Sequence, residues 1–529
     1  MIGIAMAAIM QPLAVGLSNY PNFTSKCLEF NPLNYVTNSA IITLEPVAKG
    51  STIFYPNDDV TCNRPNQTVS VDICRIALNI STSSRSHVLA ELWLPEAWDG
   101  RFLATGNGGL DGCTKYEDIN YGAKYGFASI GSNNGHSGTS GVSFLHNNDV
   151  LEDYAYRSLH AITKMGKSLT SAFYSKTILK SYYLGCSGGG RQGLKAAEKY
   201  PRDFDGIVIG APALNFNYLS SWRMSFLNKT GSIGSLDFIR PQVWKGLIHD
   251  EVLRQCDGID GIEDGILEDP RKCHFDPEPL LCNGTGTNCL SPGQVQIVKS
   301  IFEPLIDMTG ITVYQAMQPG SEILAADRLY AGLPFPYSLE WFRYVVHQDP
   351  AWDPQNFSDV DIILAQDLNP FNIMTYPRDL DSFRQKSGKM LIYHGLQDNQ
   401  ITSYTTDAFL RHLTTNAPIS VLDNYIRYFR ISGMAHCNSG PGAWMIGQSS
   451  LGDVGWGREE NVLAAMVDWV ERDEAPETIQ GVKFIDDVKG NMVLRRRRHC
   501  RWPYENSYIG IEGGNGRSWD DWKCVLQSV

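Results

Sequence analysis

No two of the twelve cysteines stand in C-x-x-C spacing, no stretch beyond the first residues is apolar enough to span a bilayer, and acidic side chains outnumber basic ones. The first absence argues against zinc and leaves disulfides as the use of an even cysteine count. The second implies a chain free in solution once any leader has been removed. The third, a formal net charge of −12, disfavours nucleic acid or an anionic membrane as partner. Charge is missing altogether from Met1 to Ser18, which contains the apolar run Leu13–Leu17. Residues 1–18 are therefore expected to be a signal peptide, although the usual basic n-region is lacking.

What is present fits that destination. N-x-S/T sequons at Asn22, Asn66, Asn79, Asn228, Asn283 and Asn356 point to a secreted, extracellular glycoprotein. Among the cysteines, Cys256 with Cys273, Cys282 with Cys289 and Cys500 with Cys524 close short local loops and are the expected pairs. The partners of Cys27, Cys62, Cys74 and Cys113 stay open, since spacing alone does not give connectivity. Hydrophobic residues at 43% and aromatics at 11% describe a globular chain of 529 residues, large enough for one big domain with an insertion.

The stretch that organises the chain is Gly185-Cys-Ser-Gly-Gly189, a G-x-S-x-G elbow. Thr177–Leu184 before it is apolar, β-branched and aromatic; Arg191–Tyr200 after it is rich in helix formers and closed by Pro201. Strand-like runs at Val88–Leu94, Arg101–Thr105, Phe127–Ile130 and Gly206–Gly210 alternate with helical ones, including a helix from Val150 to about Tyr174. That rhythm predicts an α/β fold with a parallel sheet and the site at the strands' carboxyl ends. It breaks from 215 to 386, an aromatic and proline-rich stretch read as an inserted lid, and resumes with Lys389–Tyr393 and Tyr425–Ile431. The organisation is thus residues 19–214 and 387–529 for the catalytic domain and 215–386 for the lid.

Each late strand runs into a loop with a titratable residue, Asp398 in Gly395–Asp398 and His436 in Gly433–His436. A serine needs a base to take its proton, and the base needs an acid to hold its tautomer. The order Ser187, Asp398, His436 matches that requirement in an α/β-hydrolase. His394 competes with His436 but is better placed to support the Asp398 turn. Asp423 precedes its strand and falls at the wrong end, and His136 and His160 are read as structural. Cys186 adjoins the serine and Cys437 the histidine, so a bridge between them would tie the two loops together. Its loop-closure contribution is roughly 3 to 5 kcal/mol.

In the lid, Cys256-Asp-Gly-Ile-Asp-Gly-Ile-Glu-Asp-Gly-Ile266 crowds Asp257, Asp260 and Asp264 into a glycine-punctuated loop. Mutual repulsion there calls for a hard cation, most simply Ca²⁺, with the carbonyls of Ile262 and Ile266 completing the shell in a spacing that is not an EF-hand. Its expected place is far from the nucleophile, with a structural role. Arg495–Arg498 is read as a solvated basic turn, with a processing site as the alternative.

Tyr182–Gly193, the Cys-Ser, Asp and His-Cys set, Thr105–Gly109 and Ile431–Cys437 together resemble the fungal tannase and feruloyl esterase family, most of all its type-B feruloyl esterases. The resemblance spans nearly the whole mature chain. It implies an α/β-hydrolase fold with a large lid, the Cys186–Cys437 bridge, calcium at the five lid positions, no organic cofactor, and hydrolysis of phenolic-acid esters. Hydroxycinnamoyl esters are favoured, with galloyl esters, as in a tannase, as the runner-up. Where relatives often carry threonine this chain has Gly188. The Gly188 N–H, with Asn107 or Gly108 from the Gly106–Gly109 loop, is expected to hold the oxyanion. A non-catalytic phenolic- or carbohydrate-binding hydrolase fold is the third reading, disfavoured by the intact Ser, Asp and His set. Oligomeric state is not legible in the sequence.

Overall fold

Runs of β-branched and aromatic residues bounded by glycine become the strands of one sheet in the computed structural model, which describes residues 22–283, 288–510 and 515–526. The predicted signal peptide lies outside the described residues. The nine strands are β1 Ser39–Val47, β2 Ile73–Ser81, β3 His87–Pro95, β4 Arg101–Thr105, β5 Ala128–Ser132, β6 Lys180–Cys186, β7 Gly206–Gly210, β8 Lys389–Gly395 and β9 Ile426–Ile431. Their spatial order is β1-β2-β3-β5-β4-β6-β7-β8-β9. The first three pairings are antiparallel and all later ones parallel. The α/β-hydrolase sheet is thus mixed: its half from β5 to β9 is parallel, as the alternation of strands and helices predicted, whereas β1, β2 and β3, which no α-helix separates, pair antiparallel.

The parallel half is covered on both faces, so its strands read as continuous apolar runs. Tyr183, Ile207 and Ile209 pack on one side with Leu159, Ile162 and Leu169 of the helix Ser158–Tyr174 and Leu194 of the elbow helix Gly188–Lys199. Tyr182, Val208 and Leu391 pack on the other with Leu463 and Met466 of the helix Val462–Arg472. Alternate residues of one strand thus anchor opposite layers. The loops at the strands' carboxyl ends are held from both sides.

Between β7 and β8 the chain adds no strand to this sheet and instead builds helices such as Phe216–Thr230. Their core, with Trp222, Trp244 and Trp341 buried, also takes in Leu110, Phe144 and Tyr154 from the sheet-bearing part. The lid is therefore packed onto the hydrolase domain through a shared apolar core.

Two local expectations are revised. The helix read as continuous from Val150 loosens into a π turn at Asp153–Arg157. There the buried Asp153 accepts from Thr82 Oγ1 and Arg157 Nε, both at 2.6 Å. Arg495–Arg498 is not a turn but part of the strand Val493–Cys500, paired antiparallel with Thr478–Phe484. Arg497 is fully buried, 2.8 Å from Glu268 and also bonded to Asp264, while Arg496 reaches Glu460 at 2.9 Å. The run alternates between an ionic core and the surface.

Replacing Arg497 would leave Glu268 buried without its counter-charge and Asp264 with Arg495 alone, and loss of one partner of a buried pair destabilises by about 3 to 5 kcal/mol. Arg497→Leu should lower the urea unfolding midpoint accordingly. An unchanged midpoint would mean that the pair makes no net contribution.

Candidate active site

Ser187 occupies the turn between β6 and the elbow helix with φ 63° and ψ −119°, a conformation a side-chain-bearing residue adopts only when its surroundings impose it. Glycines make the turn possible by close approach. A Cβ on Gly185 would stand 2.6 Å from Tyr183 Oη and 2.9 Å from Gly189 O, and one on Gly190 would stand 2.6 Å from Gly210 O. The turn is tied to β7 by the Ser187 N–H, which donates to Gly210 O at 2.9 Å.

The three loops meet as the spacing predicted. His436 Nε2 lies 2.9 Å from Ser187 Oγ, and His436 Nδ1 lies 2.7 Å from Asp398 Oδ2. Cys186 and Cys437 form a disulfide spanning 251 residues, directly beside both side chains. The other pairs are Cys27–Cys74, Cys62–Cys113, Cys256–Cys273, Cys282–Cys289 and Cys500–Cys524.

Asp398 is fully buried and accepts at every side. Its Oδ1 takes the N–H groups of Gln400 at 2.8 Å and Ile401 at 2.9 Å, and its Oδ2 takes His394 Nε2 at 3.2 Å besides His436. Burial alone would raise this carboxyl, but the His436 and His394 rings outweigh it and hold it well below the usual carboxylate range. His394 therefore supports the acid. Its Nε2 faces two acceptors, Asp398 and Ile401 O, so that nitrogen carries the proton, and Thr406 Oγ1 donates to Nδ1 at 2.8 Å.

The lid contributes residues that no sequence motif singled out. Gln318 Nε2 donates to Asp398 O, Ser403 N donates to Gln318 Oε1 at 3.1 Å, and Arg223 Nε donates to Gln400 O at 2.9 Å. Gln318 lies in irregular chain and Arg223 is a single polar residue on the helix Phe216–Thr230, so neither carries a pattern that would mark it. The remaining candidates are structural. Asp423 bonds Arg501 at 2.9 Å near the start of β9, away from the carboxyl ends. His160 pairs with Asp203 at 2.7 Å, and His136 is pushed down to about 4 by burial with Nε2 2.7 Å from Leu110 O.

The Gly106–Gly109 loop follows β4 and lies against the elbow helix. A Cβ on Gly188 would be 3.0 Å from Gly109 O, and one on Gly189 would be 2.8 Å from Asn107 O. The donors of Asn107 are all committed: its N–H to Gln192 Oε1 at 2.9 Å, its Nδ2 to Cys113 O at 2.9 Å and Ser132 O at 2.8 Å. Of the two loop residues considered, Gly108 is the freer, its N–H meeting only Asp111 Oδ1 at 3.3 Å. Gly108, Gly109, Ser187, His436 and Tyr337 of the lid border a cavity of about 350 Å³.

The acidic lid loop offers a partial fit to calcium. Asp260 Oδ2 and Asp264 Oδ1 are buried without a partner, as oxygens aimed at a cation would be. Asp257 instead accepts the N–H groups of Gly265 at 2.9 Å and Ile266 at 3.1 Å, and Arg495 reaches Asp264 Oδ2 at 3.1 Å. Among the described residues no three acidic, histidine or cysteine side chains are grouped so as to hold a metal ion, so the fit rests on the two orphaned oxygens. The chain leaving the loop is tied to the turn of the acid, since Gln397, beside Asp398, donates to Leu267 O at 2.9 Å.

Residues 74–348 and 343–525 match the family model described as tannase and feruloyl esterase. A probable feruloyl esterase B-2 from Aspergillus flavus is 52% identical over 496 residues, covering 93% of this chain and 95% of the relative. The probable feruloyl esterase B-2 from Aspergillus oryzae is 45% identical, with 97% of each chain covered. The crystal structure of feruloyl esterase B from Aspergillus oryzae superposes with a TM-score of 0.92 at 43% identity, covering 95% of this chain and all of that one. Tannin acyl hydrolase from Aspergillus niger superposes at 0.74 with 21% identity over 95% and 94% of the two chains, which shows a shared fold.

Because Asp398 is held below the value of about 3.9 for an unfolded chain, its contribution to stability is present above that pH and is lost as pH falls through the folded value. The gap in unfolding temperature between the wild type and Asp398→Asn should stay level from pH 7 to 5. Below about pH 4 the wild type should lose ground to the variant. A gap independent of pH would remove Asp398 as a depressed acid.

Proposed function

The chain belongs to the tannase and feruloyl esterase family, and from that premise we propose that it is a secreted serine carboxylesterase, a feruloyl esterase acting on hydroxycinnamoyl esters of plant cell-wall polysaccharides. The observation that carries the reading is the hydrogen-bonded line Ser187, His436, Asp398 inside a chain covered almost end to end by feruloyl esterase B relatives.

The proposed mechanism follows from that line. Ser187 Oγ attacks the ester carbonyl while His436 Nε2 takes its proton, and the Asp398 carboxylate steadies the imidazolium through Nδ1. The oxyanion forms against the Gly188 N–H, one of the first helical N–H groups and so without an intrahelical acceptor, and against the Gly108 N–H. The tetrahedral intermediate collapses, His436 returns its proton to the departing alcohol, and the acyl group remains on Ser187. Water then attacks the acyl-enzyme, giving its proton to His436, and the phenolic acid leaves as Ser187 regains its own. Galloyl esters stay as the alternative substrate of the same machinery.

In this reading Asp257, Asp260 and Asp264, with the carbonyls of Ile262 and Ile266, would hold a calcium ion, whose charge would neutralise the lid loop. Support for secretion comes from the six disulfides and from sequons at the exposed Asn66, Asn283 and Asn356. Among the described residues no helix is long and apolar enough to cross a membrane.

Initial rates on methyl caffeate, methyl ferulate and methyl gallate should favour the two hydroxycinnamates, and Ser187→Ala should lower them by at least about a thousandfold. Preference for gallate would transfer the assignment to tannase, and equal negligible rates in both proteins would return the chain to a binding role. A calcium chelator should lower the unfolding temperature of the wild type, with recovery on adding Ca²⁺, and leave that of Asp260→Asn nearly unchanged. Equal responses would exclude this loop as the site.

A further inference from the structure

The Gly106–Gly109 loop meets the elbow helix through a surface with almost no side chains. A Cβ on Gly106 would fall 2.1 Å from Tyr183 Oη and 2.9 Å from Gly189 Cα, and the reciprocal positions at Gly188 and Gly189 are as tight. Backbone resting on backbone allows close approach but offers no knob to fix the loop along the helix axis. The side chains that do so are Gln192, one turn into the helix, and Asn107, both 5% exposed.

The pair is reciprocal. The Asn107 N–H donates to Gln192 Oε1 at 2.9 Å, and Gln192 Nε2 donates back to Asn107 Oδ1 at 3.3 Å. Neither amide is free to turn over. Asn107 Nδ2 already faces two carbonyls, Cys113 O and Ser132 O, so Oδ1 must point to Gln192. The Asn107 N–H is a donor in any arrangement, so Gln192 must present Oε1 to it. Tyr183 Oη donates to Gly189 O at 2.6 Å and braces the same turn from beneath.

From this geometry we propose that Gln192 is a positioning residue of the reaction: through Asn107 it fixes the next peptide, whose Gly108 N–H is the second oxyanion donor. The inference rests on the oxyanion reading of Gly108 given above. Gln192 touches neither substrate nor the reacting atoms, and its effect is confined to where one N–H points. An error in that direction weakens the transition state more than the bound ester, because the donor is aimed at the oxyanion and not at the ground-state carbonyl.

The test compares wild type, Gln192→Leu, which keeps the volume and loses both hydrogen bonds to Asn107 together with the long contact from Tyr183 Oη at 3.4 Å, and Gln192→Glu, which keeps an acceptor for the Asn107 N–H. Phenylboronic acid is the probe of the oxyanion position, since its adduct on Ser187 is tetrahedral with an oxygen there; ferulic acid reports ground-state binding. Gln192→Leu should lower kcat on methyl caffeate about 10- to 100-fold and weaken phenylboronic acid by a similar factor. KM and ferulic acid inhibition should stay within about twofold of wild type, and Gln192→Glu should recover part of kcat. Unchanged kcat, or losses shared equally by ferulic acid and the boronic acid, would overturn the proposal. A wild-type protein that Ser187→Ala inactivates but that binds no phenylboronic acid would overturn the oxyanion reading itself, and the proposal with it.

Discussion

Ser187 sits in a backbone conformation that nothing local favours, and the rest of the molecule is arranged to impose it. Such a residue carries strain on the order of 1 to 3 kcal/mol and persists only when over-determined from outside. Its N–H is held by β7 through Gly210 O, and its carbonyl accepts from Ala213 N and Arg191 N, both at 3.0 Å. One residue back, Cys186 is bonded to Cys437, so the strained turn and the histidine loop are one covalent unit. The sheet supplies the strand end, the helix supplies the first N–H, and the glycines supply the clearance. Each is needed because the serine must project where two other loops can reach it.

Those loops face a different constraint, which is a charge with no access to water. Asp398 keeps its proton off only because four donors surround its two oxygens, and the backbone that presents two of them belongs to the same tight turn. That turn is then pinned from the lid by Gln318 and Arg223 and from beside the acidic loop by Gln397 and Leu267 O. The lid is thus a wall of the acid's socket as well as a roof over the cavity. Its shared core with Phe144 and Tyr154 makes sense in that light, since a loosely hinged cover could not steady a buried carboxylate.

What the sequence made legible was whatever depends on neighbours in the chain. The elbow announces itself because glycines must flank a residue at positive φ. The late strands run into loops that carry Asp398 and His436, and the Cys-Ser and His-Cys adjacencies linked two distant loops in sequence. Contacts between isolated polar residues were not legible, which is why Gln192, Gln318 and Arg223 went unmarked. Arg495–Arg498 looked like a solvated turn because a run of four like charges is costly to bury. The acids that accept Arg495 and Arg497, Asp264 and Glu268, lie more than 220 residues away in the chain.

The oxyanion loop shows the same division at its finest scale. Asn107 and Gly108 were indistinguishable as donors in sequence, since each offers one backbone N–H at the end of the same strand. Structure separates them through partners alone: the N–H of Asn107 is spent on Gln192, that of Gly108 on a long contact to Asp111. Gly188 adds a constraint of its own, because a Cβ there would come within 3.0 Å of Gly109 O and push the loop outward by tenths of an ångström. A threonine at 188 therefore requires a slightly receded loop, whereas glycine permits the approach seen here. With the side chain gone from 188, the register of the loop falls to the amide pair at 107 and 192.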